Sequence, residues 1–315
     1  MPYDRFLELA LYDADHGFYR AGGHAGRRGD FLTSPEVGPL FGHVVANALD
    51  AEWTRLGRPD PFTVVDAGAG PGTLARAVRA AEPECASALD YVAVESSAAQ
   101  RAGHPEGVRS LAEMPDAVVG VVLANELLDN LAFTPVRHVD GRWQQAVVEL
   151  EGEALVLGWE PSDAAIEIDS ASPRAVWQPA AAAWLRRSLE VVQRGRVIVI
   201  DYCRTASADV EVRTYAQHGP GGDPLEHLGL KDITVDVDLA QLEQVRPASA
   251  TRTQADWLVA HGIEDLVEEG RRVWAESAAV GDLAALRMRS RIREAEALVE
   301  PTGLGGFTVA EWEIS

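Results

Sequence analysis

The stretch Thr63 to Leu74, TVVDAGAGPGTL, constrains this 315-residue chain more than any other. Val64 and Val65 form a short β-branched run of the kind buried in a parallel sheet, Asp66 closes it, and Gly68, Gly70 and Gly72 follow at every second position. Glycines so spaced let the backbone turn tightly and let a ligand approach the main chain closely. Leu74 to Ala81 then continues as a predicted helix whose N-terminal amides, beside Thr73, face the turn. A strand, a glycine turn and a helix in that order make a nucleotide-type pocket in an α/β fold.

The spacing narrows the ligand. A dinucleotide fold wants G-x-G-x-x-G, but counting from Gly68 the last place holds Thr73, and the third glycine falls one residue early. A nicotinamide-dependent oxidoreductase is disfavoured on that ground. A Walker loop is excluded as well, because no Gly-Lys-Ser/Thr follows and Lys231 is the only lysine. The resulting G-x-G-x-G run resembles the first motif of class I S-adenosylmethionine methyltransferases. Leu89 to Val94 (LDYVAV) reads as a second strand ending in Glu95, about 20 residues after the glycines, where such folds place an acid on ribose hydroxyls. The competing role for Glu95 is a solvent-facing acid ahead of a helix start at Ser96 and Ser97. Val118 to Leu123 is a third apolar run, and Asn125, Glu126 and Asp129 follow it at the carboxyl edge of the sheet, where ligands bind.

A 47% hydrophobic content suffices for a substantial core, in one elaborated α/β domain or in two. The formal net charge of -21 argues against a nucleic-acid partner, which needs a basic footprint. Cys85 and Cys203 lie far apart without a C-x-x-C partner, so neither a disulfide framework nor a zinc ribbon is indicated. MPYDRFLELALYD is charged and poor in long apolar runs, unlike a signal peptide, and no stretch approaches a membrane span, so a cytoplasmic location is expected. His218, His227, Asp232, Asp236 and Asp238 match no standard set of metal ligands, and no metal is expected. His218 reads either as a cleft residue that accepts or relays a proton or as a structural histidine.

Pro2 to Tyr12 is predicted helical, followed by a long glycine-rich loop in which Gly29, Asp30, Thr33, Ser34 and Glu36 offer amides, hydroxyls and carboxylates. Ser34-Pro35-Glu36 fits a helix start with Ser34 as N-cap. Gly141 to Leu157 reads as strands around two glycine turns, Ala180 to Val192 as a helix, and Arg196 to Ile200 as a core strand ending at Asp201 and Tyr202. Ile233 to Leu239, ITVDVDL, alternates as a half-buried strand. Arg287, Arg289, Arg291 and Arg293 are predicted to form a solvated helix face paired with Glu294 and Glu296.

Taken in order, GDFLTSPEVGPLFG at Gly29 to Gly42, the glycine run from Asp66 to Leu74, NELLDN at Asn125 to Asn130, DY at Asp201 and Tyr202, and RTYAQH followed by LKDITVDVDL resemble the MidA family of methyltransferases, from about Tyr3 to Phe307. The resemblance implies a Rossmann-like class I methyltransferase core with a seven-stranded, mostly parallel sheet. Residues 1–60 would be an N-terminal helical extension with a cofactor-covering loop. Residues 61–315 would form the core, with insertions around 137–180 and 204–260 that shape the substrate cleft. It implies S-adenosyl-L-methionine as cofactor, S-adenosyl-L-homocysteine as product, and a protein or peptide substrate with arginine favoured; a homo-oligomer is compatible with it. The cofactor set is Gly29, Asp30, Thr33, Ser34, Asp66, Gly68, Gly70, Gly72, Thr73, Leu74, Glu95, Ser96, Asn125 and Glu126. Departures from the family pattern fall at Ala67, Ala69 and Pro71, which spare the glycines, and at Leu127, Leu128, Asn130, Ala132 and Cys203 on the expected substrate side, where they leave the acceptor open.

Methyl transfer from a sulfonium requires mainly that the nucleophile be held in line, in a site that manages desolvation and positive charge. A guanidinium acceptor has no free lone pair at rest, and paired carboxylates can orient it bidentately. Glu126 and Asp129, three residues apart after a strand, are the candidate pair, with His218 as the third catalytic candidate. Asp201, Tyr202, Asp232 and Asp236 are candidates for the substrate side. The alternatives are a catalytically weak, cofactor-binding assembly factor and a small-molecule methyltransferase.

Overall fold

The apolar runs of the sequence lie side by side in the computed structural model, which describes residues 1–21, 33–162, 168, 173–204, 211–216, 219–277 and 283–315. Seven strands form one sheet: β1 (Phe62–Ala67), β2 (Leu89–Val94), β3 (Arg109–Leu111), β4 (Val118–Asn125), β5 (Val192–Asp201), β6 (Ala250–Thr253) and β7 (Thr308–Ile314). Their order is β3-β2-β1-β4-β5-β7-β6. β1 pairs parallel with β2 and β4, β2 with β3, and β4 with β5, whereas β6 and β7 are antiparallel. All six residues of β1 are buried, which is why its composition is continuous rather than alternating: helices cover both faces of such a strand. The strand order reverses at β1, so a crevice opens beyond its carboxyl end.

The chain divides into two units. One comprises Leu32–Asn125, Val191–Ile200 and Ser249–Ser315 and contains the sheet. Helix Pro39–Arg55 buries Leu40, Phe41, Val44, Val45 and Leu49 in this unit. The arginine-rich helix, Leu283–Leu298, keeps Arg287, Arg289, Arg293 and Glu296 on the expected solvated face but not Arg291 and Glu294. Arg291 is buried and ion-paired with Glu269 at 2.6 Å, and Glu294 is buried and accepts from the Leu40 amide at 2.9 Å. The alternating arginines do spread around the helix, but tertiary partners take the inward-facing charges, and the nearby glutamates do not.

The other unit comprises Met1–Phe31, Glu126–Glu190 and Asp201–Ala248. The described N-terminal residues 1–21 therefore group with the inserted segments, and the stretch from residue 33 groups with the sheet. Strands Thr134–Val139, Arg142–Glu151, Ala154–Pro161 and Arg174–Trp177 form an antiparallel sheet, of which the two glycine turns predict Arg142–Glu151 and Ala154–Pro161. Helix Tyr3–Tyr12 lays Tyr3, Phe6, Leu7, Ala10 and Leu11, a stripe at helical spacing, into one core with Phe133, Ala146, Val148 and Val176. ITVDVDL is not one half-buried strand. Strand Asp232–Thr234 stops early, and Asp238 accepts from the Ala240 amide at 3.0 Å as N-cap of helix Leu239–Val245. The local cap overrides the alternating pattern, and the polar members Thr234 and Asp238 are buried with the apolar ones. Among the described residues, no helix is long and apolar enough to cross a membrane.

Candidate functional site

Beyond β1 the main chain passes through Gly68, Gly70 and Gly72 with φ of 71°, 53° and 81°. All three lie in the left-handed region that side chains with a Cβ resist, which explains the spacing of the motif. The amides of Gly68 and Ala69 both donate to the Val94 carbonyl, at 2.9 and 3.1 Å, tying the turn to the end of β2. Gly72 is the N-cap of helix Thr73–Ala80. A Cβ built on Gly70 would meet only the Gln100 side chain at 3.7 Å, so the turn offers open space beside its backbone.

Glu95 stands at the end of β2. Its Oε2 accepts from the Gly70 amide at 3.0 Å and its Oε1 from the Ser97 amide at 2.8 Å and the Ser96 hydroxyl at 3.3 Å. A carboxylate has about four acceptor positions, so with these three filled room remains on Oε2 for one further hydroxyl donor. Ser97, not Ser96, caps the following short helix. Asp66 is buried and accepts from the Tyr91 hydroxyl at 3.0 Å; burial raises its pKa to about 7, Tyr91 opposes the rise, and Glu95 adds to it. Thr73 donates to Glu36 Oε1 at 2.6 Å, and Leu74 is buried in the core. Ser34 is not the cap expected: Thr33 occupies the N-cap position without a side-chain bond, and the buried Ser34 hydroxyl donates instead to Gln254 Oε1 at 3.0 Å. Gly29 and Asp30 lie outside the described residues.

Asn125 ends β4, and Glu126, the next residue, adopts φ of 53°. In the second unit, Asp129 is 4% exposed within the turn Leu128–Asn130. Its Oδ2 accepts from the Thr234 hydroxyl at 2.7 Å, and its backbone carbonyl accepts from Thr234 and from the Val235 amide, both at 3.3 Å. Its Oδ1, equally buried, has no partner among the described residues. Asp201 is fully buried and serves the same turn: Oδ2 accepts from the Leu128 amide at 2.9 Å and the Asp129 amide at 3.4 Å, and Oδ1 from the Tyr202 amide at 2.8 Å. Asp232 Oδ1 accepts from Asn130 Nδ2 at 2.9 Å and from the Tyr19 hydroxyl at 3.1 Å. Asp236 is ion-paired with Arg204 and Arg213, and the Arg213 guanidinium lies 5.7 Å from the centre of the Tyr202 ring. His218 lies outside the described residues.

Burial raises the Asp129 pKa to about 6, with the Thr234 hydrogen bond and the Arg213 charge holding it down. Burial and the Asp129 charge raise Asp232 to about 7, and burial, Asp129 and Glu126 push Asp201 well up. The cation that acts on Asp129 among the described residues, Arg213, is already engaged by Asp236. The cluster can therefore take a further cation, and the free oxygen of Asp129 is the atom left to meet it.

Tyr19 and Thr234 carry no site signal in the sequence, although Thr234 lies inside a quoted motif, and Asn130 stands out there only as a departure from the family pattern on the substrate side. Sequence reasoning also overlooked His104, whose only local sign is the Gly-His-Pro turn around it.

A seven-stranded sheet that reverses at β1, with a left-handed glycine turn and an acid at successive strand ends, defines the methyltransferase class of α/β proteins. Residues 44–256 match the S-adenosyl-L-methionine-dependent methyltransferase family, and the chain belongs to it. It is similar to the mitochondrial protein arginine methyltransferase NDUFAF7 homolog of Drosophila melanogaster, at 27% identity over 78% of this chain and 66% of that protein. Similarity to the human NDUFAF7 protein is 23% identity over 76% of this chain and 64% of that protein. The chain thus spans just under two thirds of the length of these curated relatives. A COG1565 superfamily member of Burkholderia thailandensis, solved with bound S-adenosyl-homocysteine, superposes with a TM-score of 0.82 at 25% identity, covering 99% of this chain and 87% of that one.

Proposed function

We propose that the chain transfers a methyl group from S-adenosylmethionine to an arginine side chain of a protein or peptide. The cofactor supplies an activated sulfonium methyl. The glycine turn and Glu95 suit its nucleoside end: three left-handed glycines leave backbone space, and the carboxylate keeps one acceptor position for a ribose hydroxyl, with a second hydroxyl accommodated if it displaces the Ser96 hydroxyl. The Tyr91 hydroxyl on β2 donates to Asp66 on β1 and so ties together the two strands whose ends carry the turn and Glu95.

The observation that carries the arginine acceptor is Asp129 Oδ1, a buried carboxylate oxygen without a partner among the described residues. An unpaired buried acceptor costs about 1–3 kcal/mol, and more when charged, which a guanidinium donor would recover. In the proposal Asp129 holds the acceptor's charge, with Glu126 as the second carboxylate, while Thr234 fixes the Asp129 rotamer. The arginine methyltransferases among the relatives support the same acceptor class. A cytoplasmic location stays part of the proposal, although the relatives named are mitochondrial, and fractionation of tagged protein tests it.

Calorimetric titration with S-adenosylhomocysteine, followed by labelled-methyl transfer into arginine-containing peptides, tests the function. Binding and transfer are both expected. Transfer that survives Glu126→Gln combined with Asp129→Asn would sink the assigned roles, and binding without transfer to any acceptor would point to the assembly-factor alternative.

A further inference from the structure

The glycine turn is held at both ends of a single residue. The Gly70 amide donates to Glu95 Oε2 at 3.0 Å, and the Gly70 carbonyl lies 2.9 Å from His104 Nε2. On the other side of the ring, His104 Nδ1 lies 2.8 Å from the hydroxyl of Ser110, a residue of β3. A carbonyl only accepts, so Nε2 carries the proton in this contact. In the neutral ring Nδ1 then accepts from Ser110, and in the charged ring Nδ1 donates to it, so the bond to Gly70 survives either state.

Neighbouring contacts restrain the same turn. The Arg76 guanidinium donates to the carbonyls of Pro71 at 2.9 Å and Gly103 at 3.0 Å. Pro105 and His104 pack against Gly72 so closely that a Cβ there would fall 2.9 Å from Pro105 Cδ and 3.3 Å from His104 Cδ2. The segment following the short helix Ala98–Arg101 therefore closes over the outside of the motif.

We propose that His104 is a positioning residue for the cofactor, fixing the Gly70 peptide between the sheet and Glu95; the inference rests on the cofactor reading of the glycine turn. Gly70, at φ of 53° and without a Cβ, is the kind of residue that wanders when nothing holds it. An unrestrained turn would have to be ordered by the ligand at a cost in affinity. In holding the carbonyl, His104 also keeps the amide on Glu95, so the carboxylate is aimed before any ligand arrives.

The test compares S-adenosylhomocysteine affinity by calorimetry in wild-type protein and in His104→Ala, His104→Gln and His104→Phe, with thermal melts confirming that each folds. Loss of one neutral hydrogen bond predicts a weakening of about three- to tenfold for His104→Ala and His104→Phe. The His104→Gln variant retains an N–H donor and is expected to restore most of the affinity. In turnover assays the KM for S-adenosylmethionine rises in the Ala and Phe variants while kcat stays near wild type. Wild-type affinity in His104→Ala, or equal losses in all three variants, would overturn the positioning role while leaving the cofactor reading intact. A wild-type protein that does not bind S-adenosylhomocysteine would overturn both.

Discussion

The two carboxylate oxygens of Asp129 sit in different surroundings, and the difference is set by neighbours far away in sequence. Thr234 occupies one oxygen at 2.7 Å and leaves the other buried without a partner among the described residues. Asp129→Asn keeps the shape but removes the charge, so methyl transfer is expected to fall at least a hundredfold in single-turnover assays with affinity for S-adenosylhomocysteine unchanged. The raised pKa values give two opposite pH dependences. Asp66 at about 7, Asp129 at about 6 and Asp232 at about 7 all hold their protons more tightly in the folded chain than a free aspartate at 3.8 does. The folded state then binds more protons than the unfolded one from about pH 4 to 7, so the stabilisation is complete below that window and is lost as pH rises through it. A single fully buried acid displaced this far accounts for on the order of 4 kcal/mol. Melting temperature is therefore expected to be lower at pH 8 than at pH 5.5, and Asp232→Asn should flatten the difference. Activity should run the other way, rising through about pH 6 as Asp129 ionises, and the Asp129→Asn variant should lack that limb.

The elements of the central sheet were legible because parallel strands buried on both faces must be apolar throughout, and β1, β2 and the start of β4 read as such runs. The glycine turn was legible for a steric reason, since its three left-handed residues admit little else. Substituting Gly72→Ala meets both a positive φ and Pro105, and an affinity loss above tenfold for S-adenosylhomocysteine is expected by calorimetry. Where local signals met tertiary partners, sequence reasoning failed. ITVDVDL has the period of a strand, yet Asp238 finds a helix to cap; the arginine helix has the spacing of a solvated face, yet Arg291 and Glu294 are taken inward. Removing the inward carboxylate with Glu294→Ala leaves the buried Leu40 amide unpaired, for a loss of about 1–3 kcal/mol in urea unfolding. The site shows the same limit. Tyr19 reaches Asn130 across 111 positions and Asp232 across 213, and no window along the chain contains that contact.

At the scale of the whole molecule, a net charge of -21 makes every buried cation matter. Arg196 on β5 lies within 3.3 Å of Glu52, 3.1 Å of Glu311 and 3.5 Å of Glu313, and the first two of these carboxylates are buried. Arg196→Ala leaves them to Arg55 and Arg252 alone among the described residues, so a loss of about 3 kcal/mol or more is expected in chemical denaturation. Because the pairs are largely shielded, that loss should persist at high salt, unlike that of the exposed Arg272 and Glu276 pair. The two units are interleaved, each drawing on three separate stretches of chain. This has a consequence for how the protein is made. Helix Tyr3–Tyr12 emerges from the ribosome long before Phe133, Val148 and Val176, and Ile233 completes the core around it later still. At about 5–20 residues per second, its apolar stripe waits on the order of ten seconds or more for cover. Neither unit can finish before most of the chain has been synthesised, so the apolar helix stays uncovered through most of translation.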